Sequence, residues 1–491
     1  MHERGKSYDP IVPAKRPNKV AQAAAEAVEG RGSAKENAAS KTHPGRRAGT
    51  SVSSALDRVR QVAKGDKEVR FTALLHHITV ERLEAAYRAL KPKAAPGIDG
   101  VTWEAYGQQL EANLQDLHLR LHSGAYRARP SRRVHIPKAD GRQRPLGIAS
   151  LEDKVAQSAV VEVLNTIYEE DFLGFSYGFR PGRSQHDGLD ALSVGLERKK
   201  VNWVLDADLA DFFTRLDHSW LEKFLGHRIA DERILRHIQK WLKAGVIEDG
   251  VWTECDDGTP QGATISPLLA NVYLHYALDL WVDWWRRSHA RGDMIYVRYG
   301  DDTIIGFEHR SDANGFLADL RVRLAKFALE LHSEKTRLIE FGRFAAQHRK
   351  ARGLGAPETF NFLGFTHICD KDKSGRFWIR RITISKRLRA KLSEVKHELT
   401  QRRHQPIPEQ GRWVRSVVQG HLNYYAVPGN HNAIEACCKQ ITRHWYKALR
   451  RRSQRKRLTW GRMTRLAQRW VPPARVQHTH PNVRFDARHP R

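Results

Sequence analysis

Cysteine is scarce in this 491-residue chain, which carries Cys255, Cys369, Cys437 and Cys438. No two of them are spaced Cys-x-x-Cys, which argues against a zinc knuckle or a zinc-bound nuclease module. The adjacent Cys437 and Cys438 fall on a predicted helix and are expected to pack rather than bridge. Such sparse, unpaired cysteine suits a reducing compartment. Long apolar runs are missing too. None approaches the roughly 18 residues of a membrane span, and the N-terminus has no apolar signal core. Its Ala, Lys and Arg content resembles a transit peptide, but Glu26, Glu29 and Glu36 argue against one. The expected location is therefore cytoplasmic and intracellular, with no membrane partner. Acidic residues are in deficit: 55 Asp plus Glu face 84 Lys plus Arg, a formal net charge of +29 with a pI near 10.2. A balance this basic points to a polyanion, above all nucleic acid. The competing explanation is a basic surface kept for solubility.

Hydrophobic residues make up 40% of the chain, enough for a sizeable core and several domains. Residues 1–60 are rich in Ala, Ser, Gly, Lys and Arg without periodicity and read as a basic, mostly disordered arm. Residues 61–200 read as an N-terminal unit. Helical patterning begins near Ser54 and continues into this unit through Thr79 to Leu90, and a turn-rich loop from Lys91 leads into a helix at Thr102. Two short strands over Val134 to Ile148 flank Ala139-Asp140-Gly141. Leu151 to Tyr168 is an amphipathic helix, and Tyr177 to Ser184 is a basic loop before another helix. Residues 201–370 mix strands and helices. They comprise a strand from Asn202 to Leu209, a helix from His218 to His227, and a long helix opened by Ser266-Pro267. Leu269, Val272, Tyr276 and Leu280 line the inner face of that long helix. A helix from Ala313 to Leu331 and strands near 336–341 and 360–367 follow. The mixture is α+β, with helices expected on one face of an antiparallel sheet.

Residues 371–470 are helical, and 471–491 form a basic C-terminal tail. From Ala436 to Phe485 there is no acidic residue, while Lys and Arg number 14. Tyr424, Tyr425, Trp445, Tyr446, Trp460 and Trp470 are interleaved with that charge. Basic side chains neutralise phosphates and aromatic faces stack on bases; a helical domain whose aromatics are simply core is the alternative.

Two acidic clusters carry the chemistry. Tyr299-Gly300-Asp301-Asp302 lies between an apolar run from Met294 and another from Thr303 to Phe307, so it reads as a hairpin tip turned by Gly300. Adjacent carboxylates disfavour joint ionisation, and a divalent metal resolves that conflict. Taken alone, the motif reads as an exposed acidic turn. The second cluster is on the strand near 205, where alternation puts Asp206 and Asp208 on one face. Asp208 is followed by Leu209, Ala210, Asp211, Phe212 and Phe213, and further on by Thr259-Pro260-Gln261-Gly262.

Asp208 with Phe213 five residues on, then Thr-Pro-Gln-Gly, then Tyr-Gly-Asp-Asp, resembles the palm of a reverse transcriptase. The order of blocks resembles the group II intron reverse transcriptase/maturase family. Pro96-Gly97-Ile98-Asp99-Gly100, Ile136-Pro137-Lys138, Arg144-Pro145-Leu146-Gly147-Ile148 and Tyr177-Gly178-Phe179-Arg180-Pro181 continue the match. So do Leu331-His332-Ser333-Glu334-Lys335-Thr336, Phe362-Leu363-Gly364-Phe365, and the stretch from Trp413 through Asn423-Tyr424-Tyr425 to Trp460. The resemblance covers roughly residues 70–470. It implies a right-hand polymerase, with fingers in 61–200, a catalytic palm with an antiparallel sheet in 201–370 and a helical thumb/maturase domain in 371–470. The implied reaction is RNA-directed DNA synthesis by nucleotidyl transfer, in which two metals about 3.5–4 Å apart act on the attacking and leaving oxygens.

The resemblance implies Asp208, Asp301 and Asp302 as catalytic metal ligands, with the Leu209 carbonyl as a further ligand. Two Mg²⁺ ions are the implied cofactor, with Mn²⁺ as a substitute. Lys138, Arg144, Leu209, Asp211, Phe213 and Gln261 are the implied nucleotide-binding set, Phe213 as a steric gate against a 2′-hydroxyl. Tyr299, Gly300, Lys335, Leu363 and Gly364 are implied contacts to primer and template. The implied partners are group II intron RNA, an RNA template with a DNA or RNA primer, dNTPs and target DNA.

Some positions depart from the family pattern. Gly300 stands where many members carry Ala, Ala263 replaces a frequent Gly, and Thr214 a frequent Asp; none removes a metal ligand. No Cys- and His-rich endonuclease module is visible, so target-DNA cutting by this chain is not expected, and any DNA-binding extension is expected to be short. Three other readings stay open: a splicing-only RNA-binding maturase, an RNA-dependent RNA polymerase, and a reverse transcriptase serving host defence.

Overall fold

The structure, a computed structural model, describes residues 49–137, 143–248, 250–254, 257–259, 262–452 and 458–489. Residues 1–48 of the expected arm over 1–60, Cys255, Lys138 with the turn Ala139-Asp140-Gly141, and Gln261 lie outside the described residues, while the end of the arm opens the helix Gly49–Gly65. The strands, in chain order, are β1 (Ser131–Pro137), β2 (Gln143–Ile148), β3 (Trp203–Asp208), β4 (Val246–Glu248), β5 (Val251–Thr253) and β6 (Met294–Tyr299). They continue with β7 (Asp302–Phe307), β8 (Arg337–Glu340), β9 (Phe360–Phe362), β10 (Phe365–Lys371) and β11 (Phe377–Thr383). They form three sheets, ordered β2-β1-β4-β5, β6-β7-β3-β8 and β11-β10-β9. In the central sheet every described pairing is antiparallel.

The central sheet is covered on both faces, not one. Along β3, Leu205 and Ala207 enter an apolar core that runs from Leu56 to Leu329, whereas Val204 enters a second core. The helix Arg310–Ala325 supplies Phe316, Leu320 and Leu324 to the first core. The helix Gln185–Arg198 supplies Leu189, Leu192 and Leu196 to the second. A capping box fixes the start of that second helix: Ser184 and Asp187 satisfy each other's backbone N–H groups.

Three expected elements differ in form. The helix opened by Ser266-Pro267 runs to Leu274, widens into one π turn over His275–Asp279 and resumes as Leu280–Ser288. That wide turn shifts the inward face, so Trp281 and Val282 are buried while Leu280 is only half-buried. The helix expected to reach Leu331 stops at Ala325, and Leu331 instead bridges Leu209. The strand expected over 360–367 is broken into β9 and β10 by a two-residue turn, Leu363-Gly364. Both turn residues have positive φ (44° and 87°), as a tight hairpin requires.

A third apolar core joins the helices Ser385–Gln401, Ile407–Tyr425, His431–Arg450 and Trp460–Trp470. Cys437 and Cys438 are free thiols buried within it. Trp445 is fully buried and donates its indole N–H to Gln410 Oε1 (3.0 Å), and Trp470 packs over Gly411. Much of the aromatic content there is thus core, while Trp460 remains 48% exposed. Asn430 ties this bundle to β11: it accepts from Thr383 N and donates to Thr383 Oγ1 (2.9 and 2.8 Å). Within the basic tail, the helix Pro481–Arg488 docks on Gln185–Arg198, with Phe485 buried in the second core and a bidentate Arg198–Asp486 pair beside it. Among the described residues no helix is long and apolar enough to cross a membrane.

Candidate active site

β6 and β7 form the predicted hairpin, and the pairing register sets Tyr299 opposite Asp302. Gly300 turns it with φ +66°, a conformation glycine adopts without strain. On the other side of β7, Asp302 lies directly opposite Asp208 of β3. Alternation puts Asp206 on the same face as Asp208, as expected, and both are half-buried. Two residues distant by almost a hundred positions thereby present carboxylates to one point.

The electrostatics of that point are unfavourable as it stands. As a residue Asp302 is exposed, but the protein around its carboxylate desolvates it. That burial, with the charges of Asp301, Asp208 and Asp206 added, pushes its pKa up to about 7, against the pull of Arg387. Burial pushes Asp206 up to about 6, with Arg337 working against the rise and Asp208 adding to it. Asp208 has turned toward Lys335, whose Nζ donates to Oδ2 at 2.6 Å.

Among the described residues no three His, Cys, Asp or Glu side chains are gathered tightly enough to hold a metal ion by themselves. The donor chemistry nevertheless fits a hard cation. It is all oxygen, and Mg²⁺ characteristically takes one or two carboxylates together with waters and substrate phosphates. The backbone after β3 adds a donor. In the Leu209–Leu331 bridge, His332 N donates to Asp208 O and Ala210 N to Glu330 O (both 2.8 Å). That pattern leaves the Leu209 carbonyl out of the pairing.

Asp211 is exposed with φ +47° and its carbonyl accepts from Thr214 and Arg215, closing the 3₁₀ turn Phe212–Thr214. Phe212 is core; Phe213 is half-buried, edge-on to it at 5.3 Å. Thr259 N donates to Phe213 O (2.7 Å), which fastens this turn to the segment before Gln261. Gly262, φ +110°, sits so close to β2 that a Cβ there would meet Gly147 O at 2.7 Å. Arg144 lies on β2, paired with Ile136 of β1. The segment before Gln261 is thus fastened to the turn that bears Phe213, and the residue after it lies against β2, the strand that carries Arg144.

Leu363 and Gly364 form the β9–β10 turn, and Tyr424 Oη donates to Leu363 O (2.6 Å), linking the turn to the thumb bundle. A Cβ on Gly364 would lie 3.2 Å from the Arg387 guanidinium. Arg387, at the start of the helix Ser385–Gln401, thus stands between the thumb and Asp302; no periodicity or motif in the sequence singled it out.

Sequence reasoning also missed what holds the hairpin in place. Arg298, inside β6, is fully buried. Its Nε and Nη2 donate to the two Asp279 oxygens (2.8 and 2.6 Å), Nη2 also to Ser176 Oγ (2.7 Å), and Nη1 to Asn271 Oδ1 and to the Gly300 carbonyl (3.0 and 2.9 Å). Asn271 Nδ2 in turn donates to Gly178 O (2.7 Å). Asp279 closes the π turn, a feature frequent at functional sites. Asp279 is the one charged residue of the run Tyr276–Val282, and that was the only sequence signal for it. The basic loop before Gln185 proves structural as well. Buried Arg180 grips Glu169, Leu173 O and Ser176 O, and Arg183 donates to Gly174 O.

The sequence profile of the family "Reverse transcriptase (RNA-dependent DNA polymerase)" matches residues 136–367. Protein YkfC of Escherichia coli (strain K12) is 36% identical over 277 residues, 50% of this chain and 72% of that protein. The group II intron-encoded protein LtrA of Lactococcus lactis subsp. cremoris is 32% identical over 242 residues, 48% of this chain and 40% of LtrA. The putative COX1/OXI3 intron 1 protein of Saccharomyces cerevisiae is 25% identical over 424 residues, 72% of this chain and 50% of that protein. The matches to LtrA and to the yeast protein thus span half or less of those proteins' own length.

Proposed function

The chain belongs to the group II intron reverse transcriptase/maturase family, and from that premise we propose that it is an RNA-directed DNA polymerase copying intron RNA into cDNA, with intron-RNA binding that assists splicing and mobility. The observation that carries the reading is the pairing of Asp208 with Asp302 across β3 and β7, beside Asp301 at the hairpin tip. Catalysis of this kind requires oxygen donors at the meeting point of primer end and nucleoside triphosphate. Asp208, Asp301, Asp302 and the Leu209 carbonyl would hold two Mg²⁺ ions, or Mn²⁺ in their place, which supply charge stabilisation at the attacking and leaving oxygens.

The protein's own groups do the rest. Lys138 and Arg144 carry positive charge to the triphosphate from the fingers, with Gln261 and Asp211 bordering the same nucleotide. Phe213, fixed by the Phe212–Thr214 turn and its bond from Thr259, closes the space a 2′-hydroxyl would need, so dNTPs are selected. Tyr299 and Gly300 border the primer end, and Leu363 and Gly364 present a rigid turn to its backbone. Lys335, which neutralises Asp208 until a cation takes its place, contacts the template–primer. Exposed Lys and Arg on the thumb helices bind intron RNA and, during mobility, target DNA.

Primer extension on an RNA template tests the reading. Asp301→Ala is expected to abolish dNTP incorporation while RNA binding is retained. Undiminished extension by that variant sinks the site assignment. A wild-type protein that binds intron RNA yet incorporates neither deoxy- nor ribonucleotides would point to the splicing-only maturase instead.

A further inference from the structure

Phe179 is the one residue of Phe175–Arg180 whose side chain is exposed; Phe175, Ser176, Tyr177, Gly178 and Arg180 are all buried. It is also an aromatic residue with φ +60°, a backbone state that bulky residues rarely adopt and that persists only where the surroundings enforce it. They do enforce it. Tyr177 N donates to Arg298 O (2.9 Å), Arg298 N to Phe175 O (3.0 Å), and Asn271 to Gly178 O. A Cβ on Gly178 would strike the Gly300 nitrogen. The loop is thus clamped to the β6 edge, and its one exposed ring is turned over the bend of the hairpin. Phe179 Cε2 lies 2.9 Å from where a Gly300 Cβ would be, and its ring centre is 6.2 Å from that of Tyr299.

An apolar ring held outward in a strained backbone adds nothing to the folded state by itself. Its neighbours suggest what covers it. In the sheet order the segment with Phe179 lies beyond β6, the carboxylates are on β7 and β3, and Phe213 follows β3. Phe213 packs on the first core, whereas Tyr299 and Leu363 pack on the second. Along the sheet the carboxylate pair therefore lies between the segment that bears Phe179 and the turn that bears Phe213. In an in-line displacement the attacking and leaving oxygens lie on opposite sides of the phosphorus, so the two nucleotides being joined occupy opposite sides of the carboxylates. With the incoming nucleotide against Phe213, the Phe179 side receives the primer end. The terminal base is occupied by its pairing partner and its stacked neighbour, so the face it leaves to a protein ring is the sugar.

We propose that Phe179 is a substrate contact for the primer: its ring packs on the sugar of the terminal nucleotide and sets the position of the 3′-hydroxyl over Asp301. The proposal rests on the polymerase reading above, and its test separates the two. Phe179→Gly removes the ring and relieves the positive φ, so its thermal midpoint is expected to equal or exceed that of the wild type. Its single-turnover extension rate is expected to fall about tenfold, because the 3′-hydroxyl is then less well positioned, with the KM for dNTP unchanged. Phe179→Tyr, which keeps the ring, is expected to retain the wild-type rate. Extension of mismatched primer ends, where the sugar is already displaced, is expected to fall less than that of matched ends. A Phe179→Gly protein that extends matched primers at the wild-type rate overturns the proposal, as does an equal loss in the Gly and Tyr variants. Wild-type protein without any primer extension would instead overturn the polymerase reading itself.

Discussion

The two faces of the sheet at the β6–β7 hairpin each carry an ion pair, and the pairs are opposites. Beneath it, Arg298 and Asp279 are both wholly sealed from solvent. Above it, Lys335 and Asp208 are 50% and 25% exposed. A sealed pair is a poor source of net stability compared with apolar packing, because both charges are desolvated, but removing one partner is severe. An open pair contributes little either way. The difference separates two jobs. Arg298 can satisfy Asp279, Asn271, Ser176 and the Gly300 carbonyl at once, and so fixes where the hairpin tip stands. Lys335 neutralises Asp208 without sealing it, which leaves the carboxylate open to exchange its partner.

Breaking the sealed pair should produce the largest effect. Arg298→Met strands the Asp279 charge and removes the donor from the Gly300 carbonyl, and should lower stability by about 3–5 kcal/mol in urea denaturation. Replacing both partners, Arg298→Met with Asp279→Leu, should recover much of that stability but not the rate of primer extension. An Arg298→Met protein that unfolds at the wild-type midpoint would erase the contrast between the pairs. The next largest effect lies on the open side. Asp208→Asn keeps the shape and loses only a partly exposed ion pair, so stability in denaturation should change by no more than about 1 kcal/mol. Extension should nonetheless fall at least about 100-fold, the scale of losing one electrostatic element of a transition state.

This contrast also marks what was legible in the sequence. Asp208, Asp301, Asp302 and Phe213 stand in ordered motifs, and strand alternation alone put Asp206 and Asp208 on one face, which is how the structure has them. The sealed network was not legible, because Asp279, Asn271, Ser176 and Arg298 are scattered over more than a hundred residues and meet only through the fold. The π turn escaped for a related reason. A 3.6-residue period extrapolated through His275–Asp279 selects Leu280, and one wide turn moves the buried face to Trp281 and Val282. The Leu363-Gly364 turn was hidden inside an apolar run, where Leu with positive φ breaks the ordinary preference. Phe179 was visible only as part of a motif; its exposure and strain are properties of the loop clamped to β6.

A smaller effect follows from pH. Asp302 and Asp206 have folded pKa values of about 7 and about 6, raised above the usual carboxylate range. Without metal, the folded state thus holds more protons than the unfolded state between those limits. The contribution of these two groups to stability is complete below about pH 4 and is lost as pH rises through 6 to 7. Mg²⁺ bound by the deprotonated carboxylates would reverse the trend, so the thermal shift on adding Mg²⁺ should be larger at pH 8 than at pH 6. Asp302→Asn should flatten that difference, and a shift independent of pH in the wild type would show that these carboxylates do not receive the ion.

The smallest effect should come from the open cation itself. Lys335→Met removes one half of a solvent-exposed pair, so the change in stability should be within about 1 kcal/mol. What should change is the competition at Asp208. With Nζ gone from Oδ2, a cation approaching that oxygen no longer displaces an ammonium. The Mg²⁺ concentration for half-maximal thermal shift should therefore fall, and high salt, which already screens the open pair, should narrow the gap between variant and wild type. If Lys335→Met instead destabilised the protein as strongly as Arg298→Met, the open pair would be a second structural clamp, and the division between a sealed pair that sets position and an open pair that yields its partner would fail.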